Sequence, residues 1–365
     1  MAFYERVGNL HIHTSDSDGH ATHAEVAAHA ARAGLDLVVV TDHNAFAGER
    51  QGWYGDVLLL VGEELHDPED PHHNHLLALG IGRDLAAAEA DPQARIDAVR
   101  AEGGLAYLAH PVEHSGARAG EPEIDWVRWD AGGYAGLEVW NYMSEFKAHL
   151  ANWPVTLLAV YWPELVIRGP HAETLALWDR LLAEGALVYG IAGSDAHGQT
   201  YTLGPLRRQV LPYEYLFRAA NTHFLVEEVW SGDAARDAVL VWDALRLGRA
   251  YLAYDRLAPA RGFRFTAEHD AVEHPMGDVI EASGEVVLRI AAPARAYLRL
   301  VQNGFVVAEG VGTRLTYHTR APGAYRAEAY RSYALRRRAW ILSNPIVVHT
   351  RPSVPPPAER YLGKG

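Results

Sequence analysis

Cysteine is absent from the chain. That excludes a disulfide framework and any thiolate metal site, and leaves the redox compartment open. Lysine is nearly absent: it stands only at Lys147 and Lys364, so positive charge is otherwise arginine. No apolar stretch approaches the roughly 20 residues that span a bilayer. The start, Met1 to Arg6, has no apolar signal-peptide core. A cytoplasmic location with no membrane partner is expected. Basic residues are outnumbered, 33 against 46 acidic ones, for a net charge of -13. This argues against a nucleic-acid partner, because the phosphate backbone would be repelled. Neither a Ser-His-Asp arrangement nor a phosphate-cradling glycine loop is evident, since Gly132-Gly133 lacks the context of one.

Histidine is the residue in excess, with 20 copies. The stretch His11-Ile12-His13-Thr14-Ser15-Asp16-Ser17-Asp18-Gly19 concentrates the signal. Histidines at i and i+2 face the same way at the end of a strand, which makes a metal-binding pair. Asp18 adds a hard oxygen ligand past the turn, and Gly19 relieves the bend. Taken alone, His-x-His is as compatible with a polar loop.

The rest of the chain tips that balance. At 365 residues and 49% hydrophobic content it is globular, with room for one large domain and a small one. Strands and helices alternate. Thr22 to Ala33 reads as a helix stopped by Gly34. Leu35 to Val40 is an apolar run, as in a parallel strand buried on both faces, and it delivers Thr41-Asp42-His43-Asn44. Val57 to Val61 delivers Gly62-Glu63-Glu64. Leu76 to Ile81 follows His75. After a helix over Asp91 to Gly103, Leu105 to Leu108 delivers Ala109-His110-Pro111. Leu137 to Trp140 delivers Asn141. A helix over Thr174 to Glu184 precedes Ala186 to Ile191, which delivers Gly193-Ser194-Asp195-Ala196-His197. Acid and histidine motifs at successive strand ends are what a barrel of parallel strands uses to build a site at one face.

Further on, Gly204 to Leu211 reads as one more strand, Asp237 to Leu247 as a helix and Arg249 to Tyr254 as a strand. Asp255 to Gly262 reads as a link. From Phe263 to His349 short strands dominate: Phe263–Thr266, Val286–Ala291, Tyr297–Val301, Phe305–Ala308, Leu315–His318, Tyr325–Tyr330 and Trp340–Val348. Asn303-Gly304 is a strong hairpin turn. This spacing suggests a β-sandwich. The expected division is 1–254 barrel, 255–350 β-sandwich and 351–365 extended, proline-rich tail.

These motifs, in this order over residues 7 to 200, resemble the PHP (polymerase and histidinol phosphatase) superfamily. The resemblance implies a distorted (β/α)7 barrel with three divalent ions at the strand ends. His11, His13, Glu64 and Asp195 would hold one ion. Glu64 would bridge to a second, also held by His75 and His110. Asp18, His43 and His197 would hold the third. Glu63 is the alternative bridge. The segment Asp243-Ala244-Leu245-Arg246-Leu247-Gly248-Arg249-Ala250-Tyr251, followed by a small β domain ending near Ser343-Asn344-Pro345, is similar to the CehA/McbA metallohydrolases, which include carbamate-ester hydrolases.

Imidazole and carboxylate ligands without thiolate suit Zn, Mn or Fe. Three divalent ions against the three carboxylates Asp18, Glu64 and Asp195 leave a positive pocket, suited to an anionic small molecule. The expected activity is metal-dependent hydrolysis, with phosphoester hydrolysis favoured. The alternatives are carbamate, carboxyl ester or amide hydrolysis, and an inactive metal-binding module. Glu64 and Asp195 are the central catalytic candidates. His114 is a candidate general acid or a solvated loop residue. Glu138 and Asn141 are candidate substrate contacts, or Glu138 pairs with an arginine. His72 and His73 read as loop residues. The tryptophans and tyrosines between Trp126 and Trp162 read as core packing or as an aromatic wall over the site. Oligomeric state is left open by the sequence.

Overall fold

A computed structural model of the chain describes residues 3–86, 91–120, 122–203 and 206–350. The proline-rich tail at 351–365 lies outside these residues, as do Gly204 and Pro205.

The first strand, Tyr4–Ile12, runs through the middle of the N-terminal part and is buried from Val7 onward. Leu37–Val40 lies parallel to it on one side, and Val57–Val61 lies parallel to that strand in turn. These are uninterrupted apolar runs because both faces are covered. The chain bends at Gly62, where a Cβ would press to 2.6 Å from the Ala78 carbonyl oxygen, and continues as Glu63–Leu65. That short strand pairs antiparallel with Leu76–Leu79, which pairs antiparallel with Leu105–Leu108. Gly136–Asn141 follows in parallel, then Tyr189–Ala196, which pairs in parallel with the first strand again. The hydrogen-bonded order therefore returns to its starting point.

Helices pack outside. His23–Ala33 begins at Thr22, whose side chain and that of Glu25 form a reciprocal capping box, and ends at Gly34 with φ +84°. Pro92–Ala101 is capped by Asp91, Ala172–Ala183 precedes the Tyr189 strand, and Ala234–Arg246 is capped by Asp233.

Three expectations change. The strand expected over Gly204 to Leu211 is present as Leu206–Gln209, and it pairs antiparallel with Thr200–Leu203, a strand that was not expected. Ala220–Val226 is a further strand, antiparallel to the start of the first strand. Its polar Asn221, Thr222 and His223 hide it from an apolar-run reading, yet it is wholly buried. Toward the C-terminus there are eight strands among the described residues where seven short ones were expected: Val272–Pro275 and Val279–Ala282 were not foreseen, and several others are longer. Val286–Gln302 is one strand of 17 residues whose register shifts around Pro293, and Phe305–Thr319 is another of 15. Trp340–Val348 is two strands, Arg336–Ser343 and Ile346–Thr350, broken at Asn344-Pro345. Asn303 and Gly304 both have positive φ, as the expected type I′ hairpin requires.

The C-terminal strands enclose their own apolar core, including Phe263, Phe265, Ile290, Leu298, Tyr325 and Trp340. They are not an independent sheet. Ala250–Tyr254 pairs with Ala220–Val226 on one edge and with Arg336–Ser343 on the other.

Candidate metal centre

His11 and His13 occupy the end of the first strand, but plain alternation does not aim them. The register against Tyr189–Ala196 shifts between Leu10 and Ile12, and His11 has φ +74°. This is a bulge that redirects a side chain at the sheet rim. Asp195 and His110 also have positive φ, +54° and +27°. Strained backbone at three neighbouring polar side chains is characteristic of a built site. Gly193 makes room for it: a Cβ there would lie 2.2 Å from Glu138 Oε1 and 2.9 Å from the His11 Cβ. Gly19 serves by space and not by relieving a bend. Its φ is not in the left-handed region, and a Cβ would meet the His13 carbonyl oxygen at 2.2 Å.

Five imidazoles converge on one buried carboxylate. Glu64 Oε2 lies 3.1 Å from His11 Nε2, 3.2 Å from His13 Nε2 and 3.1 Å from His43 Nδ1. Glu64 Oε1 lies 2.8 Å from His75 Nδ1 and 3.2 Å from His110 Nε2. Asp195 Oδ1 is 3.4 Å from His11 Nε2 and 3.2 Å from His13 Nε2. Asp18 Oδ1 is 3.2 Å from His197 Nε2, and its Oδ2 is 3.9 Å from His43 Nε2. All nine expected ligands fall into overlapping groups with ligand atoms within 4.8 Å of one another. One group is His13, Asp18, His43 and His197; another is His43, Glu64 and His75.

His75 precedes its strand, whereas candidates such as His11, His110 and Asp195 lie at or just past the ends of theirs. The reason is direction: Leu76–Leu79 runs antiparallel to its neighbours, so its beginning lies at the rim where the others end. Glu63, the alternative bridge, points to the opposite face as the adjacent residue of a strand must. It accepts from the Leu85 amide at 2.9 Å, and burial pushes its carboxyl up to about 7.

The donor atoms fit divalent ions. His11 Nε2, both His13 nitrogens, His43 Nδ1 and Glu64 Oε2 are buried with no hydrogen-bond partner, a cost that only a further ligand would offset. Outward-facing nitrogens are meanwhile tied down. His11 Nδ1 donates to Glu138 at 3.1 Å, His110 Nδ1 to the Ile124 carbonyl at 3.1 Å, and His75 Nε2 to the Pro71 carbonyl at 3.1 Å. Such bonds fix the tautomer and aim the other nitrogen at a metal. Burial disfavours the imidazolium of His11, His13, His43 and His110, and they differ in how far neighbouring carboxylates offset it. His13 beside Asp195 and Glu64 is raised to about 10 and His110 beside Glu64 to about 9. His43, buried and next to His13 and His75, falls to about 3. Ion binding would require neutral imidazole throughout.

The cluster forms one side of a cavity of about 340 Å³, within the usual range of small-molecule sites. Its other walls include Ile124, Met143, Phe146, Lys147, Leu150 and Val210, together with His66 and His72. His72 is thus a wall residue and not only part of a loop. The tryptophans do not form an aromatic wall. Trp126 and Trp140 are core residues, and Trp129, Trp153 and Trp162 are exposed elsewhere.

Three expected contacts are placed differently from the sequence reading. Glu138 is buried behind the cluster, pairing with His11 and accepting from the His110 amide at 2.9 Å, with no arginine paired to it among the described residues. Asn141 donates to Glu138 at 2.9 Å and to Asp195 at 3.3 Å. Both bond candidate ligands, and neither lines the main cavity. His114 is exposed, 3.7 Å from Glu173 and edge-on to His171, and also outside the cavity. Sequence reading missed Asp42, which accepts from the Thr14 amide and hydroxyl and from Ser17 Oγ and so shapes the His11–Gly19 loop. It also missed His66, Glu113 and Lys147, none of which follows an apolar strand.

No protein-family model and no curated protein matches the sequence. Among solved structures, a two-domain protein containing a PHP-like metal-dependent phosphoesterase from Bacteroides vulgatus ATCC 8482 is similar over 94% of this chain and 95% of its own, at 16% identity and TM-score 0.45. A proposed metal-dependent phosphoesterase from Bifidobacterium adolescentis ATCC 15703 is similar over 54% of this chain and 91% of its own, at 17% identity and TM-score 0.35. An amidohydrolase from Chromobacterium violaceum is similar over 54% and 92%, at 17% identity and TM-score 0.28. What this chain does is therefore read from its own side chains.

Proposed function

We propose that this chain is a metal-dependent hydrolase of the PHP type. In this reading residues 1–254 are a distorted (β/α)7 barrel, 255–350 a β-sandwich, and the nine ligands hold three divalent ions. The observation that carries it is Glu64, a fully buried carboxylate whose oxygens face five imidazoles, three of them presenting unpartnered nitrogens. Bound divalent ions would polarise a substrate oxygen and lower the pKa of a water. Around them Glu138 and Asn141 hold His11 and Asp195 in place, Asp195 faces the cavity, and the apolar walls exclude bulk water from the reacting groups.

Phosphoester hydrolysis is favoured by charge. Three carboxylates against three divalent ions leave a positive surplus that suits phosphate oxygens. A second reading, carbamate or carboxyl ester hydrolysis, is favoured by the walls of Ile124, Met143, Phe146, Leu150 and Val210, which suit an apolar leaving group. A matched panel separates them: p-nitrophenyl phosphate and bis-p-nitrophenyl phosphate against naphthyl carbamate and p-nitrophenyl acetate, at equal metal load. Metal-dependent turnover of the phosphate esters, abolished in Asp195→Ala, is expected. Turnover confined to the acyl substrates would replace the first reading with the second. No turnover in either class would leave a metal-binding module.

A further inference from the structure

Lys147 is the only lysine among the described residues, in a chain whose positive side chains are otherwise arginine apart from Lys364. It lies on the helix Tyr142–Ala148. Met143, Phe146 and Lys147 are spaced i, i+3 and i+4, so they share one helix face, and all three line the cavity that holds the candidate metal ligands. The ammonium is buried and lies 3.0 Å from Glu113 Oε2. Glu113 is buried too, and both its oxygens are engaged, by Ser144 Oγ at 2.7 Å and by the Ile124 amide at 2.9 Å. The clamp is joined to the metal ligands: the Ser144 amide donates to Asn141 Oδ1 at 2.8 Å, and Asn141 Nδ2 donates to Asp195.

Stability does not explain this arrangement. A desolvated ion pair in apolar surroundings gives little or no gain over a hydrophobic pair of the same size, and Ile124, Met143, Phe146 and Leu150 offer such surroundings. An arginine would pair with Glu113 in a rigid two-pronged fork. An ammonium is compact and can turn between acceptors.

We propose that Lys147, clamped by Glu113, recognises an oxyanion on the organic part of the substrate, a carboxylate or a second phosphate. Resting on the hydrolase reading, this narrows the substrate class to esters whose organic part is itself anionic.

The test compares binding of phenylphosphonate, 4-carboxyphenylphosphonate and phenylene bisphosphonate to the full-length, metal-loaded protein by calorimetry. The doubly anionic ligands should bind about tenfold or more tightly than phenylphosphonate, as a charge-assisted hydrogen bond gives. Lys147→Met should reduce that preference to within about twofold, read as the ratio of the doubly anionic ligand's affinity to that of phenylphosphonate in the same protein. A second readout does not depend on that variant folding. Pyridoxal phosphate with borohydride, applied to Lys364→Arg protein, should label Lys147, with 4-carboxyphenylphosphonate protecting better than phenylphosphonate. No preference in the wild type, an equal preference in Lys147→Met, or labelling without selective protection would overturn the proposal. Lys147-dependent anion binding without ester turnover would refute the hydrolase reading alone. Ester turnover without that dependence would refute the oxyanion site alone.

Discussion

Glu63 and Glu64 are adjacent in sequence and face opposite sides of the same short strand. Glu64 faces the imidazoles, and Glu63 sits under Leu85. Conservative substitutions should separate them. Glu64→Gln removes the shared charge, so elemental analysis should fall from about three ions per chain to at most one, with turnover down at least about 100-fold. Glu63→Gln should keep its metals. Glu138→Gln should weaken metal affinity about 10–100-fold, because the carboxylate charge and one of the acceptor oxygens that aim His11 are lost while its ligand nitrogen remains. His114→Ala should leave kcat within about twofold, since an exposed side chain outside the cavity has few contacts to lose; a drop of 100-fold would restore it as the general acid. Most of the candidate ligands were legible as candidates because they stand at or just past the end of an apolar strand, a pattern that marks a rim; Asp18, in the turn beyond His13, is the exception. Glu138 was visible as a candidate but its role was not. A residue within a strand can face substrate or the back of a ligand, and only the bulge at His11 decides which.

At the scale of elements, the apolar strands Val57–Val61 and Leu105–Leu108 are where the sequence placed them, because runs buried on both faces need no partner to be recognised. Direction was not legible in Leu76–Leu79, since an apolar run reads alike both ways. Ala220–Val226 was missed because its polar residues bond at the junction with the C-terminal strands. There the imidazole of His223, fully buried, lies 2.9 Å from Glu5 and 3.0 Å from Asp255 and stacks on Tyr251. Glu5 also accepts from Tyr251 at 2.6 Å and from Arg264 at 2.8 Å. Burial alone would lower the His223 pKa, but Asp255 and Glu5 together raise it above 6.5. Glu5 resists burial in the same way and is held down at about 2 by His223, Arg264 and Tyr251. The stabilisation from His223 is therefore fully present below pH 6.5 and is lost as pH rises through its higher folded value. The stabilisation from Glu5 is present above pH 4.5 and is lost as pH falls toward 2. Thermal melts of the wild type should show greatest stability between these limits, and His223→Leu should lose the alkaline-side slope. The same variant should cost about 3–5 kcal/mol, because it leaves two carboxylates facing each other. An unchanged melt-versus-pH curve in His223→Leu would show that the triad does not join these elements.

Across the whole molecule, the C-terminal strands are bound into the N-terminal part by buried polar contacts and not by a loose link. Asn344 accepts from the Gly190 amide at 2.6 Å and donates to the Gly190 and Ala250 carbonyls at 3.2 and 2.8 Å. Arg326, buried, bonds Asp179 at 2.8 Å, and Arg338 bonds the Ile167 and Leu165 carbonyls. Tyr189 donates to the Gly277 carbonyl at 3.0 Å. Each of these carries a partner that water would have to reach if the C-terminal part were removed. Leu225, Tyr251 and Ala253 would also lose their apolar cover. A chain ending at Tyr254 is accordingly expected to be insoluble, or to melt well below the full-length protein, even though every candidate ligand lies before residue 200. Asn344→Ala makes the same point without truncation. It strands the Gly190 amide, at about 1–3 kcal/mol, while metal content and kcat per folded molecule stay at the wild-type level. Soluble 1–254 protein with the full-length melting temperature would show that the C-terminal strands are an appended module. A fall in metal content in folded Asn344→Ala would instead mean that the junction shapes the centre itself, through Tyr189–Ala196, the strand that carries both Gly190 and Asp195.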